Sequence, residues 1–286
     1  MTRVVYVNGR YLPYAQAGVH VEDRGLQFAD AIYEVCEVRE GALVDRTRHM
    51  ERLERSLSEL GIRQPMSRAA LSIVLTETVR RNRVKTGLVY LQITRGAAPR
   101  DFPFPRADVT PTVICLARSL DGAAREARAS AGIAVETMPD TRWARCDIKT
   151  VMLLPAVLAK EAAAKAGAQE AWFVDRDGFV TEGASSNAWI VAQDGTLITR
   201  ALGSELLPGV TRRTLLDLLS REKIPLIERP FRVDEAMAAR EAFVTSAFGL
   251  VMPVVRINGV AIADGHPGDL TRRLRSNFHQ VAELCH

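Results

Sequence analysis

The stretch RWARCDIKT, residues 142–150, is the segment on which the assignment of fold and function depends. It holds Lys149, one of few lysines in a chain that otherwise takes its positive charge from arginine. The other lysines lie on predicted helices or near their carboxyl ends, where a cation is favourable: Lys85, Lys160, Lys165 and Lys223. Lys149 needs a different explanation.

Lys149 has apolar neighbours on both sides. It follows Ile148 and is separated by one threonine from the run VMLL, residues 151–154. Partly apolar surroundings disfavour the charged form of an amine and make it a nucleophile toward carbonyl groups. Lys149 is therefore a candidate Schiff-base lysine, and a structural lysine paired with Asp147 is the alternative.

The composition is ordinary for a globular protein, with 286 residues, 47% of them hydrophobic and 25% charged. This length fits one large or two medium domains. The basic clusters RRNR (80–83) and TRRLR (271–275) fall on predicted helices, where they are typical of solvated faces. We therefore expect no nucleic-acid partner.

The four cysteines are widely separated and form no CxxC motif, which favours a reducing compartment over a disulfide or zinc framework. The start of the chain has no apolar signal region, and no apolar run reaches the length of a membrane span. These features predict a cytoplasmic protein without a membrane segment.

Strand and helix patterns alternate irregularly along the chain. The first half predicts strands around turns in VVYVNGRYLP and AIYEVCEVREGALV, helices in TRHMERLERSLSELG and SRAALSIVLTETVRRNR, and then two apolar strands. The second half mixes strands with helices from about Pro155, Val210 and residue 268. Because strict βαβ alternation is missing, the pattern predicts two α+β domains with a cleft between them.

The strand pattern lapses in SLDGAAREARAS, residues 119–130. We place an interdomain linker at 119–128, between an N-terminal α+β domain at 1–118 and a C-terminal α+β domain at 129–286.

Several common catalytic motifs are missing from the sequence, namely the GxxxxGK[ST] phosphate loop, GxGxxG after a strand, HExxH and GxSxG. The five histidines lack metal-ligand spacing and are typical of surface or structural positions. Metal, dinucleotide and serine-hydrolase chemistry are therefore disfavoured.

Polar residues gather where predicted elements meet. In VTEGASSNAWIV (180–191), Glu182 either belongs to a tight turn or points into a cleft toward a cationic partner. In LPGVTRRTLLDLL (207–219), Val210 and Thr211 open a helix whose free N–H groups suit an anion, with simple capping as the alternative. EAFVTSAFG (241–249) places Thr245 and Ser246 at a strand end.

Together these groups match the needs of pyridoxal 5′-phosphate, namely an amine for its aldehyde, a carboxylate for its pyridine nitrogen and a helix start for its phosphate. The chain resembles the class IV aminotransferases, of fold type IV, and within them the bacterial D-amino acid aminotransferases. The likeness runs nearly end to end, because RWxRCDIKT, VTEGxSSN and GVTR occur together in the expected order.

The resemblance implies cofactor-binding roles for several residues. Lys149 matches the lysine that joins the cofactor covalently, and Glu182 matches the acid that pairs with the pyridine nitrogen. The remaining cofactor-binding positions, most of them for the phosphate, are Arg52, Leu207, Val210, Thr211 and Ser246. The implied fold has two α+β domains, with the cofactor in the cleft between them and bound by the C-terminal domain.

The resemblance also implies how substrate is held. Tyr33, in DAIYE, matches a tyrosine beside the substrate. Arg100 matches an arginine that grips the substrate carboxylate and reaches over from the neighbouring subunit, so a homodimer with shared sites is implied. Phe102 stands where the D-amino acid enzymes usually have a histidine, and it replaces a hydrogen-bond donor with an apolar ring.

The implied reaction is transamination between a D-amino acid such as D-alanine and 2-oxoglutarate, giving a 2-oxo acid and D-glutamate. Three enzymes of the same fold remain alternatives: a branched-chain L-amino acid aminotransferase, an (R)-amine transaminase and an aminodeoxychorismate lyase. A non-catalytic binding protein with a degenerate site is the alternative from another class.

Overall fold

The computed structural model describes residues 3–105 and 109–286 of the chain. The chain divides into two units, and it passes between them more than once. Unit 1 takes in Met1–Asp121, Ile148–Met152 and Glu283–His286, and unit 2 takes in Gly122–Asp147 and Leu153–Ala282. The segment that carries Lys149 therefore belongs to unit 1, although unit 2 flanks it in the sequence.

Helices and strands are interspersed along the described residues. The helices are α1 (Arg24–Phe28), α2 (Arg46–Glu59), α3 (Arg68–Arg81), α4 (Gly122–Ala131), α5 (Leu154–Lys165), α6 (Val210–Glu222), α7 (Val233–Met237) and α8 (Asp269–Asn277). The strands are β1 (Val4–Val7), β2 (Arg10–Pro13), β3 (Ala31–Arg39), β4 (Ala42–Val44), β5 (Thr86–Thr94), β6 (Thr112–Ser119), β7 (Ile133–Pro139), β8 (Glu170–Val174), β9 (Val180–Gly183), β10 (Asn187–Val191), β11 (Leu197–Thr199), β12 (Leu226–Glu228), β13 (Glu241–Ser246), β14 (Leu250–Ile257), β15 (Val260–Ala261) and β16 (Leu284–Cys285).

Unit 1 is built on an antiparallel sheet with the strand order β16-β4-β3-β5-β6-β1-β2. Its longest pairing joins β3 to β5, from Ala31 opposite Thr94 to Arg39 opposite Thr86. Buried and half-buried side chains alternate along most of β5, as expected for a strand whose two faces differ in environment.

Helices α2 and α3 pack against the sheet of unit 1. The helix predicted in TRHMERLERSLSELG is confirmed as α2, on which Met50, Leu53 and Leu57 are all buried, while Leu60 at its end is half-buried. The helix predicted in SRAALSIVLTETVRRNR is confirmed as α3, and Ser67 Oγ caps it by accepting a hydrogen bond of 3.3 Å from the Ala70 N–H.

Unit 2 contains a mixed sheet with the strand order β12-β11-β10-β13-β14-β7-β8-β9, and β15 pairs with β14. The pairs β7–β8, β7–β14 and β11–β12 are parallel, whereas the other pairs are antiparallel. Helices α5 and α6 lie between parallel strands in the sequence, as crossovers between such strands require. The mixed α+β class predicted from the sequence is confirmed.

Both faces of the unit 2 sheet carry a hydrophobic core. On β10, Ile190 belongs to a cluster that includes Trp172, whereas its neighbour Trp189 belongs to a second cluster with Leu215 of α6 and Leu274 of α8. Because successive side chains of a strand point to opposite faces, the two clusters lie on opposite sides of the sheet. This rigid support fixes the strand ends that carry polar residues.

The sequence analysis did not predict several short elements. Residues 119–128, expected to be an interdomain linker, include most of α4, which is rich in alanine and arginine and therefore in helix-forming residues. Helices α1 and α7 and strands β12 and β16 are too short to show a clear period. The domain limits 1–118 and 129–286 remain a prediction.

The described residues also bear on metals, thiols and membranes. No helix within 3–105 or 109–286 has the length and apolar character needed to cross a bilayer. The same ranges hold no group of three or more His, Cys, Asp or Glu side chains that could bind a metal ion. All four cysteines are free thiols: Cys36, Cys115, Cys146 and Cys285.

Candidate active site

Lys149 lies in unit 1 on a short segment that runs beside β3. The Tyr33 N–H donates to the Lys149 carbonyl (3.0 Å), and the Val151 N–H donates to the Ala31 carbonyl (3.2 Å). Lys149 Nζ lies 4.2 Å from the centre of the Tyr33 ring, within the range of a cation–π contact. The segment is thus fixed to the strand, and its half-buried amine is held against an aromatic face.

Tyr33 stacks on Tyr90 of the neighbouring strand β5, with ring centres 5.6 Å apart and planes 28° from parallel. The Tyr90 hydroxyl donates to Gln92 Oε1 (2.7 Å). Burial, with a smaller contribution from Tyr33, raises the pKa of Tyr90 to about 12. Tyr90 therefore stays an uncharged phenol at neutral pH and acts as a rigid backing for Tyr33.

Arg52 of α2 forms an ion pair with Glu34 of β3. Glu34 directly follows Tyr33, so the two side chains point to opposite faces of the strand. Arg52 donates through Nε and Nη2 to the two carboxylate oxygens, both at 2.8 Å, and His49 Nδ1 lies 2.7 Å from Glu34 Oε2. Burial alone would raise the pKa of Glu34, but Arg52 and His49 together lower it to about 2. Arg52 is thereby held in one orientation.

Arg100 and Phe102 are exposed, and both contact Phe28 at the end of α1. The guanidinium carbon of Arg100 lies 5.0 Å from the Phe28 ring centre and 5.9 Å from that of Phe102. Buried Arg24 donates to the Asp101 carbonyl (2.7 Å) and so fixes the backbone between them. The substrate roles of Arg100 and Phe102 remain predictions.

Asp147, the alternative ion-pair partner of Lys149, is bonded within unit 2 by Arg145. Its two carboxylate oxygens accept from Arg145 Nε (2.9 Å) and Nη2 (3.0 Å). This pairing supplies Asp147 with a cation two positions away in the sequence.

Glu182 is a buried carboxylate on β9 of unit 2, with only 5% of its surface exposed. Arg142 Nη1 donates to its Oε1, while Asn187 Nδ2 (3.0 Å) and the Leu207 N–H (3.1 Å) donate to its Oε2. Hydrogen bonds from charged and neutral donors stabilise a buried carboxylate as an anion. Glu182 is therefore a fixed negative charge that is suited to a cationic partner.

Asn187 connects Glu182 to the start of helix α6. Its Nδ2 also donates to the Leu207 carbonyl (3.0 Å), and its Oδ1 occupies the space that a Cβ on Gly209 would need. Gly209 is the residue before the first turn of α6. A side chain at position 209 is therefore excluded while Asn187 keeps this orientation.

The first turn of α6 offers backbone donors without a side-chain cap. Gly209, the N-cap residue of α6, has no side chain to cap the helix, and Val210 and Thr211 are buried there. Asn187 pairs with Thr245 across β10 and β13, which places Ser246 one residue farther along β13. The N–H groups and hydroxyls in this region are the kind of donors that bind an anion.

The serines of VTEGASSN bond to a neighbouring strand. Ser185 Oγ (2.7 Å) and Ser186 Oγ (3.1 Å) both donate to Glu170 Oε2, and the Gly183 N–H donates to the Ser186 carbonyl (2.6 Å). The turn is thus anchored to β8, and this anchoring supports the position of Glu182.

Sequence reasoning missed the partners of Glu182. Arg142 belongs to the quoted RWARCDIKT stretch but was not assigned a role, and Asp140, its second carboxylate partner, was not considered. Asn187 was noted only as part of a turn. The sequence shows Arg142 two residues after Asp140, but its other carboxylate partner, Glu182, lies 40 positions away.

The residue types fit the cofactor that the resemblance implies, each unit taken by itself. Unit 1 presents an amine against an aromatic ring, and unit 2 presents a buried carboxylate next to an uncapped helix start. An amine forms a bond to an aldehyde, a carboxylate pairs with a protonated pyridine nitrogen and helix N–H groups bind phosphate.

Known proteins match the chain over nearly its whole length. The model of the family described as amino-transferase class IV matches residues 31–257. A D-alanine aminotransferase of Staphylococcus haemolyticus is 38% identical over 283 residues, which cover 99% of each chain.

Solved structures share the fold. A branched-chain amino acid aminotransferase of Escherichia coli superposes with a TM-score of 0.90 at 22% identity, covering 98% of this chain and 95% of that one. A hypothetical aminotransferase of Mycobacterium tuberculosis, solved in a PLP-bound form, has a TM-score of 0.84 at 19% identity, covering 97% and 98%. At these identities the likeness establishes the fold.

Proposed function

The chain belongs to the class IV aminotransferase family, and we propose that it exchanges amino groups between a D-amino acid such as D-alanine and 2-oxoglutarate. The products are the 2-oxo acid and D-glutamate. One observation carries the substrate class, namely the 38% identity to a D-alanine aminotransferase over 99% of both chains. The geometry agrees, because the described residues include both an amine held against an aromatic ring and a fixed buried carboxylate.

The enzyme is a pyridoxal 5′-phosphate-dependent aminotransferase. When bound, this cofactor supplies an aldehyde for the amino group and an electron-accepting ring for the negative charge that develops at the substrate Cα. The residues of this chain supply the covalent anchor, the charges and the proton transfer.

Lys149 is the residue proposed to anchor the cofactor and then to act as the base. Lys149 would hold the cofactor through Nζ, and as a neutral amine Nζ would accept the proton from the substrate Cα. The Tyr33 ring lies 4.2 Å from Nζ and stacks on Tyr90. We expect this contact to restrict the rotation of the Lys149 side chain.

Glu182, the start of α6 and Arg52 are proposed to hold the remaining parts of the cofactor. Glu182 keeps a proton on the pyridine nitrogen, since a buried anion there favours the protonated form. The N–H groups of Val210 and Thr211 bind the phosphate together with Arg52. Leu207 and Ser246 flank the same region of unit 2.

Arg100 is proposed to bind the substrate carboxylate by a bidentate pair, supplied from the neighbouring subunit of a homodimer. In the single chain Arg100 is exposed, and its loop also exposes the apolar side chains of Phe102 (77%) and Phe104 (61%). A second copy of the chain is the proposed cover for these rings.

We also propose a cytoplasmic location, which the four free thiols support.

The substrate class is tested by incubating the enzyme with D-alanine and, separately, with L-leucine, each with 2-oxoglutarate, and then separating the enantiomers of the glutamate formed. We expect D-glutamate from D-alanine and little product from L-leucine. L-Glutamate formed from L-leucine would instead indicate a branched-chain enzyme.

Two lysine variants complete this test. Lys149→Ala should lose both the activity and the absorbance band of the covalently held cofactor. Lys165→Ala is the matched control, because Lys165 is exposed, pairs with exposed Glu161 of the same helix (3.2 Å) and has no proposed part in the reaction. A Lys149→Ala protein with the wild-type band would exclude Lys149 as the anchor.

A further inference from the structure

Arg142 has no role in the proposed reaction, although it contacts Glu182. It donates to Glu182 through Nη1, and its side chain is only 12% exposed. Burial of a guanidinium is unfavourable unless it is paired and hydrogen-bonded. A buried arginine in direct contact with the proposed partner of the pyridine nitrogen therefore calls for a functional explanation.

The rest of the Arg142 guanidinium is held just as firmly. Nε (3.0 Å) and Nη2 (2.8 Å) donate to the two carboxylate oxygens of Asp140, and Nη2 also donates to the Glu205 carbonyl (3.0 Å). The guanidinium carbon lies 4.5 Å from the centre of the Phe173 ring. These contacts leave the side chain a single orientation, in which Nη1 faces Glu182.

The three charged groups form a chain in the order Asp140, Arg142, Glu182. Burial alone would raise the pKa of Asp140, but the hydrogen bonds and charge of Arg142 lower it. Burial alone would lower the pKa of Arg142, but Asp140 and Glu182 raise it. At neutral pH the group therefore holds two anions and one cation, a net charge of minus one.

This net charge depends on Asp140. An isolated pair of Arg142 and Glu182 would be neutral, and it would stabilise a neighbouring cation only weakly. Asp140 balances Arg142, so the charge of Glu182 remains available to a cation that approaches it. Arg142 meanwhile fixes the carboxylate plane, together with Asn187.

We propose that Asp140 and Arg142 are positioning residues for Glu182, which fix its orientation and preserve the negative charge that keeps a proton on the pyridine nitrogen of the cofactor. This inference rests on the proposed function. Neither residue touches substrate in it, since both act through the Glu182 carboxylate.

A purely structural role for Arg142 is the competing explanation, because its bonds also join Asp140 to Thr181 and Glu205. The two explanations differ in what they predict for the cofactor. A structural role changes the stability of unit 2, whereas a positioning role changes the protonation of the pyridine nitrogen in a protein that remains folded.

The test uses holoenzyme reconstituted with pyridoxal 5′-phosphate labelled with ¹⁵N in the ring, and it compares wild type with Asp140→Asn, Arg142→Lys and Arg142→Met. The ¹⁵N chemical shift reports directly whether the ring nitrogen carries a proton. We expect the protonated shift in wild type. The shift should move toward the unprotonated value in Asp140→Asn, because the net negative charge is lost, and in Arg142→Met, because the Glu182 carboxylate loses the donor that fixes its orientation. Arg142→Lys should recover part of the wild-type shift. The kcat for D-alanine should fall about tenfold in Asp140→Asn, with little change in KM.

Arg200→Met is the matched control. The Arg200 side chain is similarly buried (15% exposed), belongs to the same unit and also bridges two carboxylates, Asp175 (2.8 Å) and Glu205 (3.0 Å). Its removal should lower the melting temperature but leave the ¹⁵N shift unchanged. Asp140→Asn retains a hydrogen-bond acceptor for Arg142, so it remains informative even if Arg142→Met does not fold.

A wild-type shift in folded Asp140→Asn would refute the positioning role and leave the aminotransferase assignment intact. A shift change of equal size in Arg200→Met would also refute it. Failure of the proposed function has a different signature, because wild type would then show no covalent cofactor band and Lys149→Ala would behave like wild type.

Discussion

The amine of Lys149 lies against the π-face of Tyr33, and this contact explains why a lysine is tolerated among apolar neighbours. Lys149 Nζ lies 4.2 Å from the centre of that ring, within the range of a cation–π contact. Tyr33 in turn is held by Tyr90, whose phenol remains uncharged at neutral pH because burial raises its pKa. Among residues 3–105 and 109–286, aromatic rings and no carboxylate restrain the amine.

Glu34 leads to a prediction about pH and stability. Its pKa is about 2 in the folded protein, against an ordinary value of 4.5, because Arg52 and His49 overcome the effect of burial. A depressed carboxyl pKa stabilises the fold above the unfolded pKa, and the contribution is lost as the pH falls from about 4.5 to about 2. Glu34→Gln should therefore lower the free energy of unfolding at pH 7 by about 3–5 kcal/mol and flatten its dependence on pH below about 5.

Urea unfolding at about pH 7, 5 and 3 measures both effects for Glu34→Gln. Glu77→Gln serves as the control, because hydrogen bonds from Arg80 and Arg81 also lower the pKa of Glu77 to about 2. Those arginines are 72% and 42% exposed, so solvent screens the pairs and the substitution should change little. Equal losses in the two variants would contradict the importance of burial at Glu34.

The site residues that the sequence predicts are those whose type is unusual for their place. Lys149 between Ile148 and the apolar run VMLL, and the carboxylate of Glu182 in VTEGASSN, stand out without a structure. Asp140 and Arg142 were not visible as a pair with Glu182, because the Arg142–Glu182 contact joins residues 40 positions apart in sequence. Such contacts follow from strand pairing, which composition and periodicity do not specify.

Helix α6 shows how one glycine can control a site at the level of a secondary-structure element. Gly209 precedes the helix with φ of −62°, which any residue can adopt. The need for glycine there has another cause, since a Cβ at this position would overlap Asn187 Oδ1. Asn187 would have to move, and its Nδ2 bonds to Glu182 and Leu207 would break.

Gly209→Ala should therefore weaken cofactor binding by about tenfold, corresponding to the loss of about one buried hydrogen bond. The dissociation constant of pyridoxal 5′-phosphate, measured by fluorescence titration of the apoenzyme, checks this. Gly18→Ala is the control, because a Cβ on Gly18 meets nothing within 4 Å. Unchanged affinity in Gly209→Ala would show that the space beside Asn187 is not needed.

Sequence patterns identified the longer elements and missed the short ones for a physical reason. Helices α2, α3 and α6 span several turns, so an apolar stripe or a cap reveals them. Helix α7 has five residues, and strand β16 has two, which is too short for any pattern to repeat. Their positions depend on tertiary contacts.

The proposed sharing of sites between two subunits leads to a prediction for the whole molecule. Lys149→Ala and Arg100→Ala should each be nearly inactive toward D-alanine as homodimers. When the two variants are unfolded together and refolded as a mixture, half of the dimers are hybrids, and each hybrid has one site with both residues intact. The mixture should recover about a quarter of wild-type activity.

Separate refolding of each variant, followed by mixing just before the assay, is the control for this experiment. Light scattering coupled to size-exclusion chromatography reports whether dimers form. If the refolded mixture stays as inactive as its components while dimers are present, Arg100 acts within its own subunit or not on the carboxylate.

The passage of Ile148–Met152 into unit 1 has a consequence for recombination between related enzymes. Consider a chimera that takes residues 1–121 from one parent and the remainder from another. It would combine Tyr33 of the first parent with the segment Ile148–Met152, and so with Lys149, of the second. Crossover points that respect the architecture must exchange residues 148–152 along with the first sheet. Libraries of chimeras made with a single crossover near residue 121 would therefore often bring together a Tyr33 and a Lys149 that come from different parents.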